Sequence, residues 1–369
     1  MRACRPVARL AAWMLFVGLA CAQAAAESYK APFELSEQRA IFGRPLARLQ
    51  GCPQPPAPIR DHTYQVFYSD SAQSVRDEAK FRAQLDRAKG LRDYTSALNR
   101  MADDYVASKP PDPARAACAL EWLQAWAEGG ALLGKVESWA RWDTLWFVHV
   151  GASLAYLKIR DDPSLDPAAK RKVTAWLGQV ARAAIGTWQT IWGSRPTAPI
   201  NNHSYWVGAS AVLAGVAGGD RELFDFGVKM ARRGLASVTP EGALPGELRR
   251  EGRAFYYHLW AMEPLMLIVA TARANGIDLS RENNAALDRI VGLLLRAHAD
   301  PGLFQKLTGA RQTDDATAWP QGAHQIGFAE IYLHLNANEG LNRLVARLRP
   351  VNVPYIVGNY TLLFGKSRR

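Results

Sequence analysis

Six long stretches of helical character follow one another along this chain, with no alternating strand pattern between them. They cover 70–107, 113–130, 167–191, 220–235, 254–274 and 281–299. Glycine and proline break the sequence between such stretches, as at Gly129-Gly130, Arg195-Pro196, Gly218-Gly219 and Pro301-Gly302. A further segment spaces Trp139, Trp142, Trp146 and His149 by three, four and three residues, which places all four on one helical face. Long helices joined by short turns bury their apolar stripes against one another, so the expected class is all-α, built from antiparallel helix pairs. The β-favouring run at 353–357 is left as extended or packed coil. Gly51-Cys52-Pro53-Gln54-Pro55-Pro56-Ala57-Pro58 reads as a stiff connector, and the polar, aromatic segment 60–70 as a loop over a cleft.

The N-terminus limits where such a chain works. Arg2, Arg5 and Arg9 precede an apolar run over 10–20 and the small residues around Ala22 and Ala24, the pattern of a signal peptide spanning 1–24 with cleavage after Ala24 or Ala26. The apolar run is too short to span a bilayer comfortably, and the residues before Cys21 fit a lipoprotein site poorly. A single domain over 27–369 is expected to remain, periplasmic or secreted, monomeric and without stable membrane association. Cys4 and Cys21 leave with the leader, so Cys52 and Cys118 either form one disulfide in an oxidising compartment or stay as two buried thiols. The formal charge of +11 includes the three leader arginines and no leader acid, so +8 stays on the mature chain. Outside the cytoplasm such a surface attracts acidic polysaccharides or membrane surfaces more than nucleic acid.

Two clusters carry chemistry. In Pro199-Ile200-Asn201-Asn202-His203-Ser204-Tyr205-Trp206 a helix starts after the proline, and a carboxylate would find free backbone N–H groups, the Asn202 amide and the His203 imidazole there. In the run from Glu247 to His258, Arg250 and Tyr257 lie seven apart, which on a continuous helix sets them on one face. A nearby guanidinium favours the phenolate of a tyrosine. Together these parts match β-elimination on a uronate: donors neutralise the carboxylate, a base removes the C5 proton and an acid protonates the leaving oxygen. Tyr257 can do both when the two groups share a face of the ring; with the opposite geometry His203 is the base and Tyr257 the acid. Arg249 and Arg253 flank Arg250 and are candidates for the groove. Of the twelve tryptophans most read as core, with Trp142 and Trp206 as candidates for contact with sugar.

The string Asn201-Asn202-His203-Ser204-Tyr205-Trp206, the pattern from Glu247 to His258 and the segment from Cys118 to Ala127 resemble the periplasmic, mannuronate-preferring alginate lyases of polysaccharide lyase family 5. The resemblance implies an (α/α) toroid, an incomplete α-helical barrel with a deep groove and neither metal nor cofactor. It implies carboxylate neutralisation by Asn202, His203 and Arg250, Tyr257 as acid and base, and a Cys52–Cys118 bridge. The family's lid loop maps to about 62–70, with Tyr68 or Tyr64 as its tyrosine, although Val66-Phe67 stands where a lysine is expected. Relatives in the family accept glucuronan and hyaluronan, so the polymer stays open.

Two other readings compete. A glycoside hydrolase needs two carboxyl groups across the scissile bond, and Glu247, Glu251, Asp143 and Glu263 supply no evident pair. A non-catalytic polyuronate-binding protein would tolerate Tyr257→Phe. The scattered histidines match no zinc spacing.

Overall fold

The computed structural model describes residues 29–193, 200–313, 319–320 and 322–366; the segment expected to be a leader lies outside them. The chain order is α1 (Leu35–Phe42), α2 (Glu78–Arg87), α3 (Lys89–Ala107), α4 (Pro113–Glu128), α5 (Ala140–Thr144), a π turn (Leu145–His149), α6 (Val150–Ile159), α7 (Pro167–Trp192), α8 (Asn202–Gly218) and α9 (Arg221–Ala236). Then come α10 (Pro245–Leu248), α11 (Ala254–Ala274), α12 (Glu282–Ala299), α13 (Leu303–Thr308), α14 (Gly327–Leu335), α15 (Glu339–Ala346) and α16 (Tyr360–Phe364). Several starts are written locally in the sequence. Asp112-Pro113 and Asp166-Pro167 each put a capping carboxylate before a proline that needs no amide partner.

Burial sorts the helices into two layers. α6, α8 and α11 are apolar nearly all round and buried along almost their whole length. Around them α7, α9 and α12 bury one stripe and expose the other face. α8 packs on α7, α9 and α11, while α3 packs on α4 and α6. This alternation of inner and outer helices in antiparallel pairs is the layering of an α/α toroid. One hydrophobic core extends from Phe33 to Phe364.

Three local departures from the sequence reading shape the groove. Helix does not begin at residue 70, because the Asp70 carboxylate accepts the amides of Ser74 (2.9 Å) and Val75 (2.7 Å) and holds a turn instead. Tyr68 and Arg76 then face each other as an antiparallel bridge, and α2 starts only after Asp77 caps it. The tryptophan-rich helix is interrupted by the π turn, which shifts the register by one residue. Trp139, Trp142 and Trp146 stay on the groove face, but His149 turns into the core, hydrogen bonded to Leu177 O and Ser210 Oγ, each at 2.9 Å. Near the C-terminus Asn352–Val353 and Gly358–Asn359 pair as a short antiparallel hairpin that carries Tyr355 to the groove.

Cys52 and Cys118 form the disulfide, with Cα atoms 5.4 Å apart. It fastens the proline-rich connector along α4, where the indoles of Trp122 and Trp126 donate to the carbonyls of Pro53 (2.8 Å) and Pro56 (3.0 Å).

Candidate active site

A cavity of about 290 Å³ opens where the loop before α2, the tryptophan helix, the start of α8 and the first turns of α11 converge. Its wall includes Tyr64, Phe67, Tyr68, Gln73 and Arg76 from the loop, then Trp139, Trp142, Asp143 and Trp146. Asn202 and His203 face it from α8, and Arg253, Tyr256, Tyr257 and Trp260 from the start of α11. Three guanidinium groups of the cavity wall lie over aromatic rings, Arg76 on Phe81, Arg92 on Phe147 and Arg253 on Tyr256, and Arg250, which does not itself line the cavity, lies over Tyr257. Stacking holds these cations in place, Arg76 being also paired with Glu78 at 2.7 Å, and a cluster of guanidinium groups suits a polyanion.

Arg250 and Tyr257 meet by a different route from the one their spacing suggests. The chain between them is not one helix: a 3-10 turn, Glu251–Arg253, follows Arg250, and Glu251 has a left-handed φ of 47°. That break turns Arg250 back so that its Cζ lies 4.3 Å from the centroid of the Tyr257 ring. Arg250 also donates to Gln73 Oε1 of the loop, where Gln73 is itself left-handed, with φ of 55°. The Tyr257 hydroxyl is 2.6 Å from that of Tyr68. Burial, with Tyr257 beside it, raises the pKa of Tyr68 against the weaker pull of Arg253, so Tyr68 keeps its proton and can donate it to the Tyr257 oxygen.

His203 sits in a box of indoles, its ring centroid 4.9 Å from Trp142, 5.3 Å from Trp192, 5.9 Å from Trp139 and 6.2 Å from Trp146. This burial, reinforced by the Arg250 charge, holds its pKa well below the ordinary histidine value, and the imidazole is neutral at physiological pH. The start of α8 differs from the expectation of free amides awaiting a ligand. Asn201 caps the helix by accepting the His203 amide at 3.1 Å, and the Glu247 carboxylate takes the backbone amide of Asn202 and, at 3.0 Å, its Nδ2. A carboxylate does bind this helix end, but it belongs to the protein.

The structure brings Asn202, His203, Arg250 and Tyr257 together, with Tyr64, Tyr68 and Arg253 around them. Trp142 reaches the groove only as the buried support of His203, at 1% exposure. Trp206 does not reach it: fully buried, it packs under Trp146 and Trp260 as part of the core. Arg249 also points elsewhere, exposed on the far side of α10 in a separate hollow with Ser237 and Pro245. Of the four carboxylates weighed for hydrolysis, Asp143 alone lines the groove, anchored by His62 Nε2 at 3.1 Å and by Gln84. Glu247 and Glu263 are buried and Glu251 is exposed, so among the described residues no pair of these acids faces the cavity.

The sequence profile of the family described as "Alginate lyase" matches residues 63–304, which includes every one of the converging side chains from Tyr64 to Trp260. The chain belongs to the alginate lyase family. It is accordingly a polysaccharide lyase. Among relatives of this alginate lyase family member, a polysaccharide lyase of Stenotrophomonas maltophilia (strain K279a) is 31% identical over 85% of this chain and 90% of its own. An alginate lyase of Azotobacter vinelandii (strain DJ / ATCC BAA-1303) is 32% identical over 71% of each chain. Alginate lyase A1-III from Sphingomonas species A1 has the same fold, with a TM-score of 0.72 at 23% identity over 91% of this chain and 95% of that one. A variant of A1-III complexed with tetrasaccharide superposes with a TM-score of 0.74 at 23% identity, over 94% and 98%. Among the described residues no helix is long and apolar enough to cross a membrane.

Proposed function

We propose that this lyase cleaves a polyuronate, poly-β-D-mannuronate in the first place, by β-elimination, with Tyr257 as the group that moves the proton. The observation that carries the reading is the Tyr257 hydroxyl at the groove, 2.6 Å from Tyr68, with the Arg250 guanidinium over its ring and Asn202 and His203 facing the same cavity. A uronate carboxylate placed among Arg250, neutral His203 and the second amide hydrogen of Asn202 is drained of charge, which acidifies the adjacent C5–H. The Tyr257 oxygen takes that proton, the electron pair becomes the C4=C5 double bond, and the C4–O bond breaks. The same proton then passes from Tyr257 to the departing glycosidic oxygen, so the enzyme ends in its starting state. This works where proton and leaving group share one face of the sugar, as in mannuronate.

Relatives named alginate lyase support alginate as the substrate class, and the stacked arginines suit any polymer of uronates. The leader sequence and the disulfide support work in the periplasm or outside the cell. The described residues of the groove all belong to one chain, which supports a monomer as the working unit.

The test is ultraviolet absorbance of the unsaturated uronate product on polymannuronate, polyguluronate, glucuronan and hyaluronan. Absorbance should rise fastest on polymannuronate and vanish in Tyr257→Phe and His203→Ala. A flat trace from folded wild-type protein on all four polymers overturns the assignment of substrate, and an undiminished rate in Tyr257→Phe overturns that of the base.

A further inference from the structure

Glu247 does not line the groove, yet it touches the residue that does. α10 sets its carboxylate under the first turn of α8, fully buried, with Oε1 accepting the Asn202 backbone amide and Oε2 accepting Asn202 Nδ2 at 3.0 Å. The approach depends on Gly246, where a Cβ would lie 2.1 Å from the carbonyl oxygen of Ile200. The other end of the Asn202 amide, Oδ1, is buried and has no hydrogen-bond partner among the described residues. Nothing at that end distinguishes oxygen from nitrogen. The orientation of the amide therefore rests on the Glu247 carboxylate, which has two acceptor oxygens and, when ionised, no proton to donate.

We propose that Glu247 is a positioning residue whose carboxylate fixes which end of the Asn202 amide meets the substrate, and so makes Asn202 fit to neutralise a uronate. The inference rests on the function proposed above for Asn202. Replacing Glu247 with glutamine keeps shape and size but leaves one acceptor and adds one NH₂. The glutamine oxygen keeps the Asn202 backbone amide, its NH₂ faces the Asn202 side chain, and that side chain must turn its oxygen inward.

Burial lifts the pKa of Glu247 to about 7, against the opposing effects of Arg250 and of the Asn202 hydrogen bonds. Nearby, Tyr205 is raised and His203 lowered, both by burial, so neither changes charge around neutrality. A titration sensed by the Asn202 side chain near neutral pH is thereby a titration of Glu247.

The experiment is a double-mutant cycle on polymannuronate with Glu247→Gln, Asn202→Ala and the pair. Glu247→Gln should lower kcat about tenfold or more with KM within about threefold. Adding Asn202→Ala to it should bring the rate to that of Asn202→Ala alone, because both remove the same donor. Losses that multiply, or an undiminished kcat in Glu247→Gln, overturn the proposal. A second measurement needs no activity. The side-chain amide resonances of Asn202, assigned by their absence in Asn202→Ala, should shift in Glu247→Gln and, in wild-type protein, with pH as Glu247 takes up its proton. Resonances identical in wild type and Glu247→Gln also overturn the proposal. A wild-type enzyme inert on every polyuronate would refute the proposed function, while the resonances would still decide whether Glu247 orients the Asn202 amide.

Discussion

Tyr257 gains its chemistry from residues far from it in sequence. Tyr68, 189 positions earlier, supplies the hydroxyl 2.6 Å away, and Gln73, 177 positions before Arg250, holds the guanidinium over the ring. The clusters at 201–206 and 247–258 were legible because each packs several unusual groups into a short string. Their assembly was not, since the loop residues that complete them meet the clusters only through folding, and Gln73 carries no local signal. Trp206 shows the converse: a string can mark a site while one of its members serves the core. At this scale Tyr68→Phe is the informative substitution. It leaves the ring to pack against Phe67 and removes only the hydrogen bond to Tyr257. If Tyr68 holds the Tyr257 oxygen where it takes and returns the proton, kcat should fall about 10–100-fold with little change in KM. A rise in KM alone would instead assign Tyr68 to uniform binding.

Among the elements, α8 and α9 show what periodicity conveys and what it leaves out. The apolar stripe of α9 was readable as Leu223, Phe224, Val228, Met230, Ala231 and Leu235 on one face, and its start at Asp220 agrees with the sequence reading to within a residue. α8 is apolar all round, so its pattern marks a helix but names no partner. The contact between them is set by small residues: a Cβ on Gly227 would lie 2.6 Å from the Gly208 carbonyl oxygen and 2.6 Å from Val212 Cβ. Gly227→Ala must separate two helices whose backbones touch, at a cost of about 1–3 kcal/mol, and because α8 carries Asn202 and His203 the rate should fall as well. Urea denaturation and initial rates on the same sample check both outcomes. The disulfide belongs to this scale too. It closes a 66-residue separation between the connector and α4, so Cys52→Ser should lower stability by roughly 4 kcal/mol while leaving the rate of the folded fraction unchanged, since neither cysteine lines the groove.

For the molecule as a whole, burial of ionisable groups inside a helical double layer ties stability to pH in two directions. Glu263, buried on α11, receives the Tyr360 hydroxyl on Oε1, while Oε2 has no hydrogen-bond partner among the described residues. Burial raises its pKa from 4.5 to about 8. The native state holds this proton more tightly than the unfolded chain, so its contribution is complete below about pH 4.5 and is lost as pH rises towards 8. His149 and His258 act oppositely. Each is locked neutral by burial, with His258 Nε2 accepting the Leu244 amide at 2.9 Å, and each has its pKa lowered from 6.5 to about 4. Their contribution is complete above pH 6.5 and lost as pH falls towards 4. Stability should therefore peak between these arms, in mildly acidic to neutral solution, and fall on both sides. Glu263→Gln separates the arms, because glutamine accepts the Tyr360 hydrogen bond without ever ionising. Its stability in urea should decline less than that of wild type between pH 6 and 9, a difference on the order of a few kcal/mol at the alkaline end, and should fall more steeply than wild type from pH 6 to 4, because it lacks what Glu263 regains as pH falls towards 4.5. An alkaline decline equal to that of wild type would show that Glu263 ionises in the core without cost, and that another group sets the upper limit of stability.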